Sequence, residues 1–183
     1  SYIDSQQLRV IQQNINNSSV LETTINNDIY NMKFEDINKF ENLDYSEKKF
    51  YGCNLQHCTF SNIHTENLRS RISSFDFSIF SDCNLIASNL QFVSLAGAKF
   101  SHVLFTNSDL VQNNFCGIQA YQSSFDDSDL YNSRFIRANL IDTSFQNCNI
   151  KRTNFTEIKK SNVSFKLSNT REAHFSTPLS EVE

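Results

Sequence analysis

The sequence predicts an all-β solenoid, and three features of its 183 residues support this fold class. Large apolar residues recur every five positions, and small residues recur two positions before them. The chain also holds 17 Phe but only 3 Gly, 1 Pro, 1 Met and no Trp. A period of five fits neither the 3.6-residue repeat of a helix nor the two-residue repeat of a flat strand. Such a regular short repeat indicates stacked units rather than a single layered core.

The repeat is set by residue numbers that are multiples of five. Fourteen of the 17 Phe residues lie there, and 21 of the 26 such positions from Phe50 to Phe175 hold Phe, Leu or Ile. The position two before is Ser, Cys, Ala, Thr or Val in most units, and a polar residue, often Asn or Asp, lies between them. Each unit therefore has two inward and three outward residues, and it buries its apolar side chains only by stacking on its neighbours.

This pattern resembles the consensus of the pentapeptide-repeat family, most clearly in the segments 83–85, 108–110 and 138–140 (Cys-Asn-Leu, Ser-Asp-Leu and Ala-Asn-Leu). The resemblance covers residues 45–177. It implies a right-handed, four-sided β-helix with one pentapeptide per side and twenty residues per coil. Residues twenty apart are then expected to lie above one another at about the 4.8 Å spacing of neighbouring strands.

That coil length predicts four vertical ladders of core side chains. One ladder holds Phe105, Phe125, Phe145 and Phe165; the next holds Leu90, Leu110, Leu130 and Ile150; a third holds Phe115, Phe135, Phe155 and Phe175; the fourth holds Phe80, Phe100, Ala120, Leu140 and Lys160. Ala120 predicts a gap in the fourth ladder. Residues 61–72 place Ile63 and Leu68 in the small position and Thr65 and Ser70 in the large one, which predicts a bulge or a protruding loop there.

The two ends of the chain predict a three-part organisation. Residues 1–44 are expected to form a short helical or irregular N-terminal cap, because the ends of a stacked sheet expose unpaired backbone groups. Apolar residues in this segment fit two helical faces, Leu8, Ile11 and Ile15 on the first and Leu21, Ile25 and Ile29 on the second. Residues 45–177 form the β-helix, and residues 178–183 form a C-terminal tail too short for a substantial helix.

Catalytic and metal-binding patterns are weak, so we expect no enzyme activity, no cofactor and no metal site. Four of the five cysteines take the small inward position, where a small buried hydrophobe explains them: Cys53, Cys58, Cys83 and Cys148. Cys116 is predicted to point outward, but no His lies beside it to act as a base. The four His residues are scattered, and no CxxC or HxxxH spacing is present.

Charge and hydropathy limit the kinds of partner. A formal net charge of −4 with mixed signs provides no basic footprint for direct nucleic-acid binding. No apolar run reaches the roughly 18 to 20 residues of a membrane span, and no signal peptide is recognised. Five cysteines in a chain of this size predict reduced thiols, hence a bacterial cytoplasm, or the host cytoplasm for a secreted effector. The oligomeric state stays open, with a monomer favoured.

The outward residues therefore carry the candidate site for a protein partner. Val111 and Tyr131 are twenty residues apart and are expected to lie next to each other, with Phe92 nearby, as an exposed apolar stripe. Acidic residues in the middle and basic residues near the C-terminal end predict opposite charges along the axis. The predicted partner-binding residues are Phe92, Val111, Tyr131, Asp109, Asp129 and Tyr121.

Three functions are compatible with these features. The first is a non-catalytic scaffold for protein–protein interaction. The second is the partner- or substrate-binding β-helix domain of a secreted bacterial effector of the ubiquitin-ligase type. The third, implied by the family resemblance, is a DNA-mimicking protein that binds gyrase or another topoisomerase. It ranks last, because such mimicry needs a continuous acidic face and this chain has a basic C-terminal end.

Overall fold

A computed structural model describes residues 28–30, 40–41 and 49–176, which form a four-sided parallel β-helix of about six coils. One short 3-10 helix, Thr170–Glu172, lies in the last coil. The strands are β1 (Asp28–Tyr30), β2 (Phe40–Glu41), β3 (Lys49–Tyr51), β4 (Thr59–Ser61), β5 (His64–Glu66), β6 (Arg69–Arg71), β7 (Ile79–Ile86), β8 (Asn89–Gln91), β9 (Lys99–Leu104), β10 (Gln119–Tyr121), β11 (Asn139–Ser144), β12 (Asn154–Phe155), β13 (Lys159–Ser164) and β14 (His174–Phe175). No helix in the described residues is long and apolar enough to cross a membrane.

The register of the strands confirms the twenty-residue coil. Every pairing from β2 onward joins residues twenty apart, as in the ladder that joins Phe60, Phe80 and Phe100. β1 is different, because Ile29 pairs with Phe50, so one extra residue lies in the chain between them. The predicted second helix is therefore wrong at its last residue, because Ile29 lies in strand β1. The remainder of the predicted helical cap, and the tail 178–183, lie outside the described residues.

Four ladders of inward residues define four faces, which we name after their members in one coil. The Phe100 face is the most regular sheet, with strands in the order β13-β11-β10-β9-β7-β4-β2. The Leu110 face contains β1, β3, β6 and β8, and the Phe105 and Phe115 faces continue as shorter strands and isolated bridges. The Leu110 face is opposite the Phe100 face, because half a coil separates them.

Aromatic stacking fills the core as the sequence predicts. Phe125 stacks between Phe105 and Phe145, with ring centroids 5.5 and 4.8 Å away. The two Phe columns also meet at a corner, where Phe125 contacts Phe115 and Phe135 edge-on at 5.7 and 5.5 Å. Both arrangements are favoured by the ring quadrupole. The core is therefore a set of interlocked aromatic columns.

The small inward position joins one coil to the next. Ser133 is a typical case, since its Oγ donates to the Leu110 carbonyl at 2.6 Å and accepts the Asn113 N–H at 2.9 Å. Ser78 makes the same pair of bonds to Leu55 and Cys58. A buried hydroxyl is tolerated only when it is hydrogen bonded. The many serines of the repeat are therefore part of the backbone network, in addition to being small.

The coil at residues 61–72 corrects the prediction of a bulge or loop. β5 pairs in register with β7, and Ile63, Leu68, Thr65 and Ser70 are all buried. Ile63 and Leu68 fill the interior from the neighbouring inward position, so the coil stays regular. The exchange leaves a small apolar cavity of about 20 Å³ bordered by Ile63, Leu68 and aromatic residues of the adjacent coils. Among the described residues, no hydrogen-bond partner is found for Thr65 Oγ1.

The corners share one backbone conformation that the sequence reasoning missed. Every fifth residue from Gly52 to Leu167 has a positive φ, between 47° and 68°, and 21 of these 24 corners are not glycine. Asn, Asp and Gly adopt this left-handed conformation most readily, and they fill half of the corners. The signal in the sequence was their recurrence two positions after each large residue.

Within the described residues, the ladder of the Phe100 face ends with a lysine in a core position. Lys160 follows Leu140 in the ladder of the Phe100 face and is half-buried, in the terminal strand β13. Inward-pointing lysines on edge strands oppose further strand pairing. Ala120 lies in the same ladder, buried between Phe100 and Leu140 and paired with both through the backbone, so the sheet continues across it.

Candidate interaction surfaces

Four of the six predicted partner-binding residues lie together on the Leu110 face. Val111 and Tyr131 occupy neighbouring coils in the same column, as predicted, and both are half-buried. Asp109 and Asp129 occupy the column on the other side of the core residues Leu110 and Leu130 and are paired through the backbone. This part of the candidate site is a continuous strip across two coils.

The two aspartates also have a structural role. Asp109 Oδ1 accepts the Val111 N–H at 3.3 Å, and its Oδ2 accepts a hydrogen bond from Gln91 Nε2 at 3.2 Å. Asp129 Oδ1 accepts the Tyr131 N–H at 3.0 Å and Asn149 Nδ2 at 3.1 Å. This local turn recurs along the rod and explains the preference for Asn and Asp between the small and large residues.

Phe92 and Tyr121 lie away from that strip. Phe92 is a corner residue with φ 53°, at the edge between the Leu110 and Phe115 faces, and its side chain is 57% exposed. Tyr121 lies on the opposite Phe100 face, where it pairs with Ile141 through the backbone and packs edge-on against His102 at 5.7 Å. The predicted set is therefore divided between one face, one edge and the opposite face.

Large apolar side chains at the corners form a second group, most of which the sequence reasoning did not select. Ile72 is 75% exposed and lies one coil before Phe92 at the same edge. Phe77 is 57% exposed at the next edge, where its ring stacks on His57 at 5.2 Å. The Phe77 ring covers Gly97 so closely that a Cβ there would lie 2.6 Å from the ring.

A groove follows the edge that carries Ile72 and Phe92. Its volume is about 530 Å³, and it extends from the coil of Gly52 to the coil of Arg134. One side is formed by corner side chains and the other by the outward polar column of the Phe115 face, with buried small residues beneath. The lining residues are Gly52, Cys53, Asn54, Ile72, Ser73, Ser74, Phe92, Val93, Ser94, Gln112, Asn114 and Arg134.

The Phe100 face has a smaller depression of about 250 Å³ around Ala120. Ile79, Tyr121 and Ile141 are exposed apolar residues along its rim, and Lys99 and Gln119 also border it. The predicted partner-binding residue Tyr121 lies on this surface.

The thiols show the chemistry of buried core residues. Desolvation by burial raises the pKa of Cys83 to about 11 and that of Cys148 to about 12, far above the usual value for a thiol. Cys53 and Cys58 are also buried, and Cys116 is half-buried on the Phe115 face. A reactive cysteine needs a stabilised thiolate. Burial of Cys83 and Cys148 instead favours the neutral thiol over the thiolate.

One cluster has the residue types of a hydrolytic triad without the geometry. Ser101 Oγ lies 3.1 Å from His102 Nδ1, and Asp82 Oδ1 lies 3.8 Å from the same nitrogen. In a working triad the hydroxyl and the carboxylate contact opposite ring nitrogens. Within the described residues, no group of three or more His, Cys, Asp or Glu side chains is placed to hold a metal ion.

Charge changes sign along the axis, as expected from the sequence. Residues 101–130 contain Asp109, Asp126, Asp127 and Asp129 and no Lys or Arg, whereas residues 131–176 contain eight Lys and Arg against three Asp and Glu. Arg137 and Glu157 form an exposed ion pair at 2.6 Å at one corner of the basic part. Most other basic side chains there are exposed, so this end of the rod presents positive charge.

A twenty-residue coil with one five-residue unit on each side defines the class of protein, a repeat solenoid whose surface columns are fixed by the lattice. Two family models match this chain, "Pentapeptide repeat region" over residues 98–175 and "Pentapeptide repeats (8 copies)" over residues 78–117. Together they cover residues 78–175, more than half of the chain. The chain belongs to the pentapeptide-repeat family.

Solved structures that match this chain include three proteins of low sequence identity. Rfr23, a pentapeptide repeat protein from the cyanobacterium Cyanothece 51142, is 18% identical with a TM-score of 0.49, over 51% of this chain and 64% of that chain, slightly less than two thirds of it. QnrB1, a plasmid-mediated fluoroquinolone resistance protein, is 14% identical with a TM-score of 0.45, over 85% and 84% of the two chains. HetL, involved in heterocyst differentiation regulation in Nostoc sp. strain PCC 7120, is 13% identical with a TM-score of 0.30, over 80% and 86%.

These identities are too low to transfer a function to this chain. No curated protein matches the sequence. The family assignment therefore rests on the repeat models, and the function has to be argued from the surface of this molecule.

Proposed function

We propose that this chain is a non-catalytic scaffold that binds a protein partner through side chains on the outside of the β-helix. The observation that carries the proposal is the pair of large, exposed apolar residues at neighbouring left-handed corners of one edge, Ile72 and Phe92. These side chains belong to neither of the two inward positions that build the core.

Backbone energetics make these residues costly for the fold. A left-handed conformation costs about 1–2 kcal/mol for an ordinary residue, and less for Asn or Gly. It is least suited to a β-branched residue such as Ile72 or to a bulky one such as Phe92. Exposure of the same side chains forfeits the apolar burial that would offset the cost. A binding role accounts for apolar side chains at these positions.

The rod is also well suited to present such side chains. Each coil is hydrogen bonded to the next through backbone ladders, and the phenylalanine columns lock the interior. A rigid surface loses little conformational entropy when a partner binds, so more of the contact energy appears as affinity. The same rigidity gives no support to a mechanism that requires closure around a substrate.

For the partner surface, we propose the strip that contains Val111 and Tyr131, together with Phe92 at its edge. Tyr131 is half-buried, and its hydroxyl accepts a hydrogen bond from Arg152 Nη1 at 3.5 Å. A glutamate at this position would place a charge against the docked partner while leaving the core untouched. We therefore expect Tyr131→Glu to abolish partner capture without a change in melting temperature.

The experiment is affinity capture from bacterial and from host-cell lysates, followed by identification of the retained proteins. Tyr121→Glu is the matched control, because Tyr121 lies on the opposite face. Loss of a specific partner with Tyr131→Glu alone supports the proposed surface, and loss with Tyr121→Glu alone moves the site to the Phe100 face. If the wild-type chain retains no specific protein from either lysate, the scaffold proposal is wrong.

A gyrase supercoiling assay tests the DNA-mimic alternative with the same protein. The acidic stretch 101–130 favours this alternative, but the excess of basic residues over 131–176 opposes it. The phosphate-binding surface of a topoisomerase is basic, so it repels the basic part of a would-be DNA mimic. We expect this protein not to inhibit supercoiling. Inhibition at a low protein concentration would favour the DNA-mimic function over the scaffold function.

A further inference from the structure

The groove along the Ile72 and Phe92 edge has the dimensions of an extended peptide. It extends over the coils of Gly52, Ile72, Phe92, Gln112 and Arg134. Four steps of one strand spacing give a length of about 19 Å. An extended chain advances about 3.3 Å per residue, so the groove accommodates about six residues.

One side of the groove is apolar. Ile72 and Phe92 are corner residues one coil apart, about 4.8 Å along the axis, and both are largely exposed. Aromatic and aliphatic side chains in a concave setting are the usual anchors of a protein interface. Together they can hold one apolar side chain of a ligand.

The opposite side is polar and can bind a peptide backbone. Asn114 Oδ1 accepts the Cys116 N–H at 2.9 Å, and among the described residues no acceptor is found for its Nδ2 group. This amide can donate to a peptide carbonyl. Ser94 belongs to the same column, and its Oγ donates to Asp76 Oδ1. A few placed polar side chains of this kind fix the orientation of a bound ligand.

Charge distinguishes the two ends of the groove. Arg134 is exposed at the C-terminal end, and it is the charged residue of the lining. Arg152 lies at the same edge one coil beyond the groove and is also exposed. The Asp76 carboxylate beside the polar column of the groove accepts hydrogen bonds from Ser94 Oγ and Ala96 N. The free positive charge is therefore at the Arg134 end, and it favours an acidic ligand group.

We propose that this groove is the docking site for an extended, acidic peptide segment of the partner, in which an apolar side chain lies three residues from a carboxylate. The apolar side chain sits on Ile72 and Phe92, and the carboxylate pairs with Arg134. Two coils, about 10 Å, separate Phe92 from Arg134, and three extended residues span the same distance. This proposal rests on the proposed scaffold function and names the chemistry of the partner.

The test uses the full 183-residue chain and fluorescein-labelled hexapeptides in an anisotropy titration. The probe is Ser-Phe-Ser-Ser-Glu-Ser, with one twin that has Lys in place of Glu and another that has Ala in place of Phe. We expect the probe to bind at least about tenfold more tightly than either twin, as is typical for loss of an interface anchor. Its advantage over the Lys twin should shrink as the salt concentration rises.

Variants of the protein assign the contacts. Phe92→Asn should weaken binding of the probe about tenfold or more, and Asn suits the left-handed corner, so the fold is retained. Arg134→Gln should remove the preference for Glu over Lys. Phe77→Asn is the matched control, since Phe77 is equally exposed at another left-handed corner, and Arg171→Gln is the control for charge. Neither control should change the affinity.

Each other outcome overturns the proposal. No binding up to about 1 mM, equal binding of the Glu and Lys peptides, or equal losses with Phe92→Asn and Phe77→Asn would show that the groove is not a peptide site. A dimer that dissociates on Phe92→Asn would assign the groove to a second copy of this chain. Capture of a partner that survives Phe92→Asn and Arg134→Gln but not Tyr131→Glu would refute the groove and leave the scaffold function standing.

Discussion

Replacement of Phe125 by alanine is the sharpest test of the interlocked core. Phe125 is fully buried and contacts four rings, two stacked and two edge-on. Removal of a buried phenyl ring costs about 3–5 kcal/mol in most cores. Each of the four neighbouring rings is held in its own column, so the cavity cannot collapse. We expect a loss of about 4–5 kcal/mol in the free energy of unfolding, at the upper end of that range.

Urea unfolding followed by circular dichroism measures this loss. Phe175→Ala is the matched control, because Phe175 is half-buried in the last coil and, among the described residues, contacts the rings of Phe155 and Phe165 only. Coils at the end of a solenoid contribute one interface instead of two, so the control should lose about half as much. A loss below about 1 kcal/mol for Phe125→Ala, or equal losses for the two variants, would refute the interlocked core.

Four further outcomes follow from the same structure. Thr65→Val should raise the free energy of unfolding by about 1 kcal/mol, because it removes a buried hydroxyl that has no partner among the described residues. Thr153→Val should lower the free energy of unfolding, because Thr153 Oγ1 donates to the Leu130 carbonyl at 2.7 Å. Thiol titration of the native protein at pH 8 should label Cys116 alone, with all five cysteines reacting in urea. Burial raises the pKa of Cys148 to about 12. Its contribution to stability is therefore complete below pH 9 and is lost as the pH rises towards 12, and Cys148→Ala should flatten that loss. Phe92→Asn should leave the melting temperature unchanged or raise it, which calorimetry measures.

The repeat made most of the fold predictable. A large residue every five positions fixes which side chains point inward, and a twenty-residue coil then places Phe105, Phe125 and Phe145 in one column. The coil at 61–72 escaped the prediction for a physical reason. Both inward positions open into the same interior layer, so Ile63 and Leu68 can fill from the small position the space that Thr65 and Ser70 leave. Sequence reasoning that considers each inward position separately therefore interprets this exchange as a break in the repeat.

The candidate site was predictable only in part. Val111 and Tyr131 are neighbours because the coil length makes them so, and the same rule separates Tyr121 from Tyr131 by half a coil, on the opposite face. Phe92 was selected, whereas Ile72, the corner one coil before it, lies in the segment 61–72 that the sequence predicted to be a bulge or loop. The groove forms because the corner side chains and the outward polar column of the Phe115 face leave a space between them. The five-residue period of the sequence does not indicate that space.

Stability and binding place opposite demands on the corner residues. Asn at every corner would suit the left-handed backbone and would keep the outside of the rod polar, yet the edge of the Phe115 face carries Ile72 and Phe92 instead. If Phe92→Asn stabilises the protein and also weakens its binding of the hexapeptide, then corner strain and apolar exposure are costs of binding. The lattice makes this trade possible, because corner side chains can change without disturbing either inward position. In this β-helix, the two inward positions specify the core, and the corner positions are free to vary.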